Sequence, residues 1–97
     1  MDEIVDAINQ REVLRVSYDG GDRHIEPHAI GSNSNTGKTL IRAFQTDGAS
    51  VSGEAEGWKL MSLGKISSIE KTGETFSPRP DYVRGDKAMT GGIIAEV

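Results

Sequence analysis

The sequence predicts a mainly β fold, in which an N-terminal helix is followed by a small five-stranded barrel and a C-terminal extension. The hydrophobic pattern changes from a helical period to alternation near residue 13, and five short apolar segments follow, separated by polar or glycine-containing turns. The length of 97 residues suits one domain with one small core. Closing a small sheet into a barrel removes the unpaired strand edges that favour aggregation.

The first ten residues are predicted to form a short amphipathic helix. Asp2 is placed to cap it, and Glu3 adds negative charge to the first turn, where the helix dipole favours it. Ile4 and Ile8 lie on one face because they are four residues apart. The polar residues 9–11 are expected to end the helix.

Alternating apolar residues predict a first strand over 13–18 and a second over 23–30. The turn at 19–22 contains two adjacent glycines, which tolerate the positive φ of a tight hairpin. Pro27 has no N–H to donate to a ladder, so the second strand is expected to lie at a sheet edge or to break at Pro27.

Three further strands are predicted over residues 38–46, 58–63 and 66–72, with polar loops at 31–37 and 47–57. Residues 1–76 are expected to form the barrel domain. The remainder, 77–97, is expected to be an extension without a regular element. It begins with prolines that keep it extended.

Composition excludes several classes of protein and site. The net charge of −4 argues against a generally basic nucleic-acid coat, and the absence of cysteine excludes disulfides and thiolate metal sites. No apolar run is long enough for a membrane span, and the acidic start is not a signal peptide, so we expect a cytoplasmic protein without membrane contact.

Several positions resemble a known family in their order and spacing. They are the Ala7-Ile8 pair in the helix, Tyr18 at the end of the first strand and the Arg-x-x-x-Pro segment at 23–27. This order resembles the WYL domain, a small Sm/SH3-like barrel of bacterial and phage proteins, over residues 3–76. Residues 39–41 read Thr-Leu-Ile where that family has its Trp-Tyr-Leu signature.

The resemblance implies a stand-alone, non-enzymatic domain that senses, regulates or sequesters a nucleotide or a short nucleic acid, as in phage or bacterial defence. Arginine and lysine suit phosphate, and aromatic rings suit bases. The ligand residues expected on this basis are Arg23, Arg42, Lys59, Lys65, Tyr18 and Trp58. Two of these cations, Lys59 and Lys65, stand where the family has arginines. The alternative is that strand cations keep a sheet soluble and that a single tryptophan packs in a core or at its rim.

No pattern typical of catalysis is present, because no serine stands at a strand-turn-helix elbow with a partner histidine. We therefore expect no enzyme and no cofactor. His24, Glu26 and His28 are formally a metal triad, but a surface or hydrogen-bonded role is more typical of such histidines.

The chain ends in an apolar segment that suggests assembly. Ile93, Ile94 and Val97 follow an otherwise polar stretch, and exposed they would favour aggregation. They are expected to pack on their own barrel or, by preference, to add a strand to a neighbouring subunit, which predicts a homo-oligomer. A protein-interaction subunit without a small ligand is therefore the second functional hypothesis.

Overall fold

The computed structural model describes residues 1–48 and 56–97, and in these residues the fold is mainly β with one N-terminal helix. Helix α1 spans Asp2–Gln10 and ends where Arg11 adopts a left-handed conformation, with φ 55° and ψ 50°. Met1 rather than Asp2 occupies the N-cap position, so the predicted cap is wrong. The apolar face is as predicted, because Ile4 and Ile8 are fully buried.

The strands are β1 (Glu12–Tyr18), β2 (Gly21–Ser32), β3 (Thr39–Gly48), β4 (Gly57–Ser62), β5 (Ile66–Thr75) and β6 (Gly92–Glu96). A 3₁₀ turn over Leu63–Lys65 joins β4 to β5. The first five correspond to the five predicted strands. Most of the predicted loop at 47–57 lies outside the described residues.

All pairings in the described sheet are antiparallel, in the order β4-β3-β2-β1-β5. Within the described residues β4 pairs only with β3 and β5 only with β1, so the sheet is not closed into the predicted barrel. Both faces of the sheet are covered, one by α1 and the other by the C-terminal extension. Two covering layers bury the apolar surface that closure would otherwise bury.

Pro27 lies in the middle of the sheet, and the prediction that it marks an edge strand is wrong. Strand β2 has β3 on one side, and on the other side β1 pairs with residues 21–25 and β6 with residues 29–32. The predicted break is present as a bulge, because the register with β3 shifts between Pro27 and Ala29. The residue outside this register is His28, while Pro27 is paired with Ala43. On the opposite side Pro27 lies between the residues that pair with β1 and those that pair with β6, so no strand there requires its N–H.

The end of the chain forms a regular strand, contrary to the prediction. Strand β6 pairs with β2 of the same chain, and Ile93 and Val97 pack on the cores of their own sheet, whereas Ile94 is 50% exposed. Close backbone approach explains glycine at position 31, since a Cβ there would lie 2.5 Å from the carbonyl oxygen of Gly92. The homo-oligomer stays a prediction.

Two apolar cores lie on opposite faces of the sheet. The larger, on what we term the inner face, contains Ile4, Ile8, Leu14, Val16, Ile25, Ile30, Ile41 and Met61, from α1 and strands β1 to β4. The smaller, on the outer face, contains Ala29, Leu40 and Met89, with Tyr82, Ala88 and Ile93 packed against it. The C-terminal extension therefore supplies a structural layer of the domain. None of the described residues belongs to a helix with the length and apolarity needed to cross a membrane.

Candidate ligand-binding cleft

A cleft of about 580 Å³ lies between the outer face of the sheet and the segment 77–91 that leads to β6. Its lining combines two strand residues with a run from the extension: Arg42, Trp58, Asp81, Tyr82, Val83, Arg84, Gly85, Asp86 and Lys87. This volume is within the range of small-molecule sites in proteins, about 300–1,000 Å³.

Strand register places the two sheet residues on the same wall of the cleft. Phe44 of β3 lies opposite Trp58 of β4, and Arg42 lies opposite Leu60. Directly opposite residues of an antiparallel pair point to the same face, as do alternate residues of one strand. Arg42, Phe44 and Trp58 therefore share the outer face, as alternation in the sequence predicts for the two residues of β3.

The segment 77–91 is attached to the sheet by Arg79. Its Nε donates a hydrogen bond of 2.8 Å to Oε1 of Glu26, and its Nη2 donates to Oε2 at 3.3 Å. The guanidinium also lies over the ring of Phe44, 3.8 Å from the ring centroid. An arginine fork on a largely buried carboxylate, stacked on an aromatic ring, holds this part of the segment in one position.

An aromatic cluster forms the floor between the sheet and the segment. The ring of His28 is 4.8 Å from that of Trp58, 5.0 Å from that of Phe76 and 5.3 Å from that of Tyr82, between centroids. Trp58 is also 5.4 Å from Phe44 in an edge-to-face arrangement. Its indole N–H donates to Asp81 at 2.9 Å, so the ring is fixed at both its apolar and its polar end.

Arg42 is held by a carboxylate from the extension. Its Nε lies 2.6 Å from Oδ2 of Asp86, and its Nη2 donates to Oδ1 at 3.3 Å. The hydrogen bonds from Arg42 hold the pKa of Asp86 below its usual range, and the N–H of Ala88 adds to this effect. Because Asp86 occupies its fork, Arg42 is not a free phosphate-binding group.

Two cations on the rim of the cleft come from the extension. Arg84 forms an ion pair of 3.2 Å with Glu96, which also accepts a hydrogen bond of 2.7 Å from the hydroxyl of Tyr82. That hydrogen bond lowers the pKa of Glu96, while burial raises the pKa of Tyr82. Lys87 is exposed and takes part in none of the ion pairs of the described residues, so its ammonium is available to a ligand.

The four expected cations do not converge. Arg23 is 3% exposed and lies on the inner face, where its Nη1 donates to Gln45 at 3.4 Å and its guanidinium lies over the ring of Tyr18. Lys59 is opposite Ala43, a core residue, and Lys65 is exposed in the 3₁₀ turn. Lys59 cannot share the outer face with Trp58, because neighbouring residues of a strand point to opposite faces.

Of the six expected ligand residues, only Arg42 and Trp58 line the cleft. Tyr18 and Arg23 form a separate pair, and the hydroxyl of Tyr18 accepts a hydrogen bond of 3.2 Å from the N–H of Ser62. Sequence reasoning missed the extension residues, above all Tyr82 and Asp86. Their only signal in the sequence was a high density of charged residues around one tyrosine after Pro80.

The two histidines have different environments. His28 is fully buried and hydrogen-bonded, whereas Nδ1 of His24 lies 4.0 Å from Oδ2 of Asp47 at the surface. In the ranges 1–48 and 56–97, no group of three His, Asp or Glu side chains is arranged to hold a metal ion.

Comparison with protein families, with curated proteins and with solved structures finds no match to this chain. The fold and the geometry of the cleft are therefore the basis for a functional assignment.

Proposed function

We propose that this chain is a non-enzymatic binding module that takes a nucleotide, or the end of a short nucleic acid, in the cleft. The observation that carries the proposal is that Trp58, expected as a ligand residue from the sequence, lines one cleft of about 580 Å³, with Arg42 held in the same wall by Asp86. The extension completes this cleft with Lys87, whose ammonium has no ion-pair partner among the described residues.

Each part of such a ligand has a counterpart in the cleft. Trp58 and Tyr82 offer aromatic surface for a base, since base–aromatic stacking tolerates every base. Asp81 is an acceptor for the amino groups of a base edge. Lys87, with Arg84 beside it, supplies positive charge for a phosphate. Asp86 neutralises Arg42, so the cleft favours a ligand with few phosphates over a long polyanion.

A finer fold assignment belongs to the same proposal. A Sm/SH3-like barrel of the WYL type is supported by one N-terminal helix followed by the strand order β4-β3-β2-β1-β5. The cytoplasmic location expected from the sequence is part of the same proposal. That order is a five-stranded antiparallel sheet whose first strand lies between the second and the fifth, and joining β4 to β5 would complete a barrel.

Calorimetry tests the binding proposal. The folded protein is titrated with nucleoside mono-, di- and triphosphates, cyclic nucleotides and short single-stranded DNA at two salt concentrations. We expect salt-sensitive binding of a small ligand by the wild type and by Lys65→Glu, and its loss in Lys87→Glu. Both variants change an exposed lysine in the same way, but only Lys87 lines the cleft.

Two results would contradict the proposal. A folded protein that binds none of these ligands has no nucleotide site. Equal losses in Lys65→Glu and Lys87→Glu would show attraction to overall charge instead of binding in the cleft.

A protein-interaction subunit is the second candidate, favoured by an apolar residue at the rim of the cleft. Val83 is 76% exposed, and Leu60 on the outer face of β4 is 42% exposed. Such residues are common anchors of protein interfaces when they cluster. The partner tested first is a second copy of this chain. Light scattering on the wild type and on Val83→Asp is expected to show an oligomer that the variant dissociates; a monomeric wild type would contradict it.

A further inference from the structure

Two hydrogen bonds determine the protonation state of His28. Its Nδ1 lies 2.8 Å from the carbonyl oxygen of Glu26, which can only accept, so Nδ1 carries the proton. Its Nε2 lies 3.0 Å from the backbone nitrogen of Arg79, whose N–H can only donate, so Nε2 accepts. Both contacts are satisfied only by the neutral ring with the hydrogen on Nδ1.

Arg79 is also the point at which the extension is attached to the sheet. Its backbone N–H bonds the ring of His28, and its guanidinium bonds the carboxylate of Glu26. The next residues along the chain, from Asp81 onward, form the wall of the cleft. One imidazole nitrogen and one carboxylate of β2 thus hold the beginning of that wall against the sheet.

The groups that face His28 come from three elements. On its own strand the carboxylate of Glu26 is already paired with Arg79 of the extension. The extension also contributes Asp81, which bonds Trp58, and Tyr82, whose hydroxyl bonds the carboxylate of Glu96 on β6. Trp58 of β4 and Phe76 add only uncharged rings. Both ring nitrogens face backbone groups instead of a carboxylate.

Protonation at Nε2 would place an N–H opposite the N–H of Arg79 and abolish that hydrogen bond. We propose that His28 is a pH-sensitive latch, which fastens the segment 77–91 to the sheet when neutral and releases it when protonated. The latch requires no ligand, so it stands apart from the proposed nucleotide binding.

The sign of the pH effect follows from burial. Burial lowers the pKa of His28 below its ordinary value of about 6.5. The fastened state therefore binds fewer protons than the released state. The stabilisation that the neutral ring gives to the fastened state is fully present above about pH 6.5. As the pH falls below that value, the released population rises by up to about tenfold per pH unit, until the pKa of the fastened state is reached.

Hydrogen exchange followed by NMR tests the latch, with rates corrected for the intrinsic pH dependence of exchange. Between pH 7.5 and pH 5, the wild type is expected to lose amide protection at residues 79–89, with the loss occurring below about pH 6.5. The amides of α1 and of the β1–β2 hairpin are expected to keep theirs. The chain has only two histidines, so ¹⁵N shifts assign the tautomer and titration of each directly.

His28→Gln is the decisive variant, because its amide oxygen can accept from Arg79 but takes up no proton in this range. We expect residues 79–89 to stay protected in it at pH 5. His24→Gln is the matched control, since His24 is partly exposed and lies apart from the extension, and it is expected to behave as the wild type. Should His28→Gln fail to fold, the wild-type titration decides alone.

Four results would overturn the latch. The first is a folded His28→Gln variant in which residues 79–89 still lose protection at pH 5. The second is a loss of protection at 79–89 only together with α1, since the pH would then unfold the whole domain. Another is a titration of His28 that leaves residues 79–89 protected. The last is a His24→Gln variant in which the pH effect has disappeared.

Discussion

The ion pair between Arg42 and Asp86 is expected to stabilise the domain measurably, because it joins β3 to the extension with little exposure to water. The Asp86 side chain is 8% exposed and the Arg42 side chain 28%. Hydrogen bonds to charged groups contribute about 1.5–3 kcal/mol in proteins. Arg42 keeps part of its hydration, which reduces this value, so we expect a coupling of about 1.5 kcal/mol.

A double-mutant cycle in urea measures this coupling. The variants are Asp86→Asn, Arg42→Gln and the two combined, with the free energy of unfolding compared at pH 7. Asp86→Asn keeps the shape of the side chain and an oxygen for the N–H of Ala88, so it removes mainly the charge. We expect the coupling to change little between low and high salt, since partly buried pairs are weakly screened.

The matched control is the ion pair between Arg15 and Glu70, which is also an arginine–carboxylate contact, of 2.9 Å, but lies in solvent, with side chains 45% and 61% exposed. Exposed pairs contribute about 0.2–1 kcal/mol and weaken with salt. A coupling between Arg42 and Asp86 below about 0.5 kcal/mol, or one as salt-sensitive as the control, would refute the reasoning from burial.

Two further predictions concern the attachment of β6. Gly31→Ala is expected to destabilise the domain by about 1–3 kcal/mol, since its Cβ would meet a backbone oxygen at 2.5 Å. The control is Gly64→Ala, whose Cβ would lie in open space and which should change the stability by less than about 0.5 kcal/mol. Thermal unfolding measures both; equal effects would exclude the close approach. Tyr82→Phe removes the hydrogen bond that lowers the pKa of Glu96, so at pH 7 it should cost about 1–2 kcal/mol. Glu96 contributes this stability above its unfolded pKa of about 4.3, and the contribution is lost as the pH falls through the lower folded pKa. Wild type and Tyr82→Phe should therefore converge in acid-dependent denaturation, and a difference that is constant with pH would contradict this.

Local sequence patterns are enough to specify the helix and the first strands of this protein. The spacing of Ile4 and Ile8 is enough for α1, and the alternation around Val16 is enough for β1. Both patterns depend only on residues that are close in sequence, and the same is true of the glycine turn between β1 and β2. Alternation also placed Arg42 and Phe44 together on one face of β3.

The way in which these elements combine depends on long-range contacts that no local pattern specifies. Strand β6 is five residues long and has no clear period, and it forms because β2 extends beyond β1 and offers a free edge. Pro27 lies in a central strand at the point between the residues of β2 that pair with β1 and those that pair with β6, where no partner strand requires its N–H. The cleft depends on pairs far apart in sequence, such as Arg42 with Asp86 and Glu26 with Arg79, which meet only when the extension folds back over the sheet. Local patterns specify which residues face one side of a strand, but the layer that covers that side is chosen by long-range packing and charge pairing.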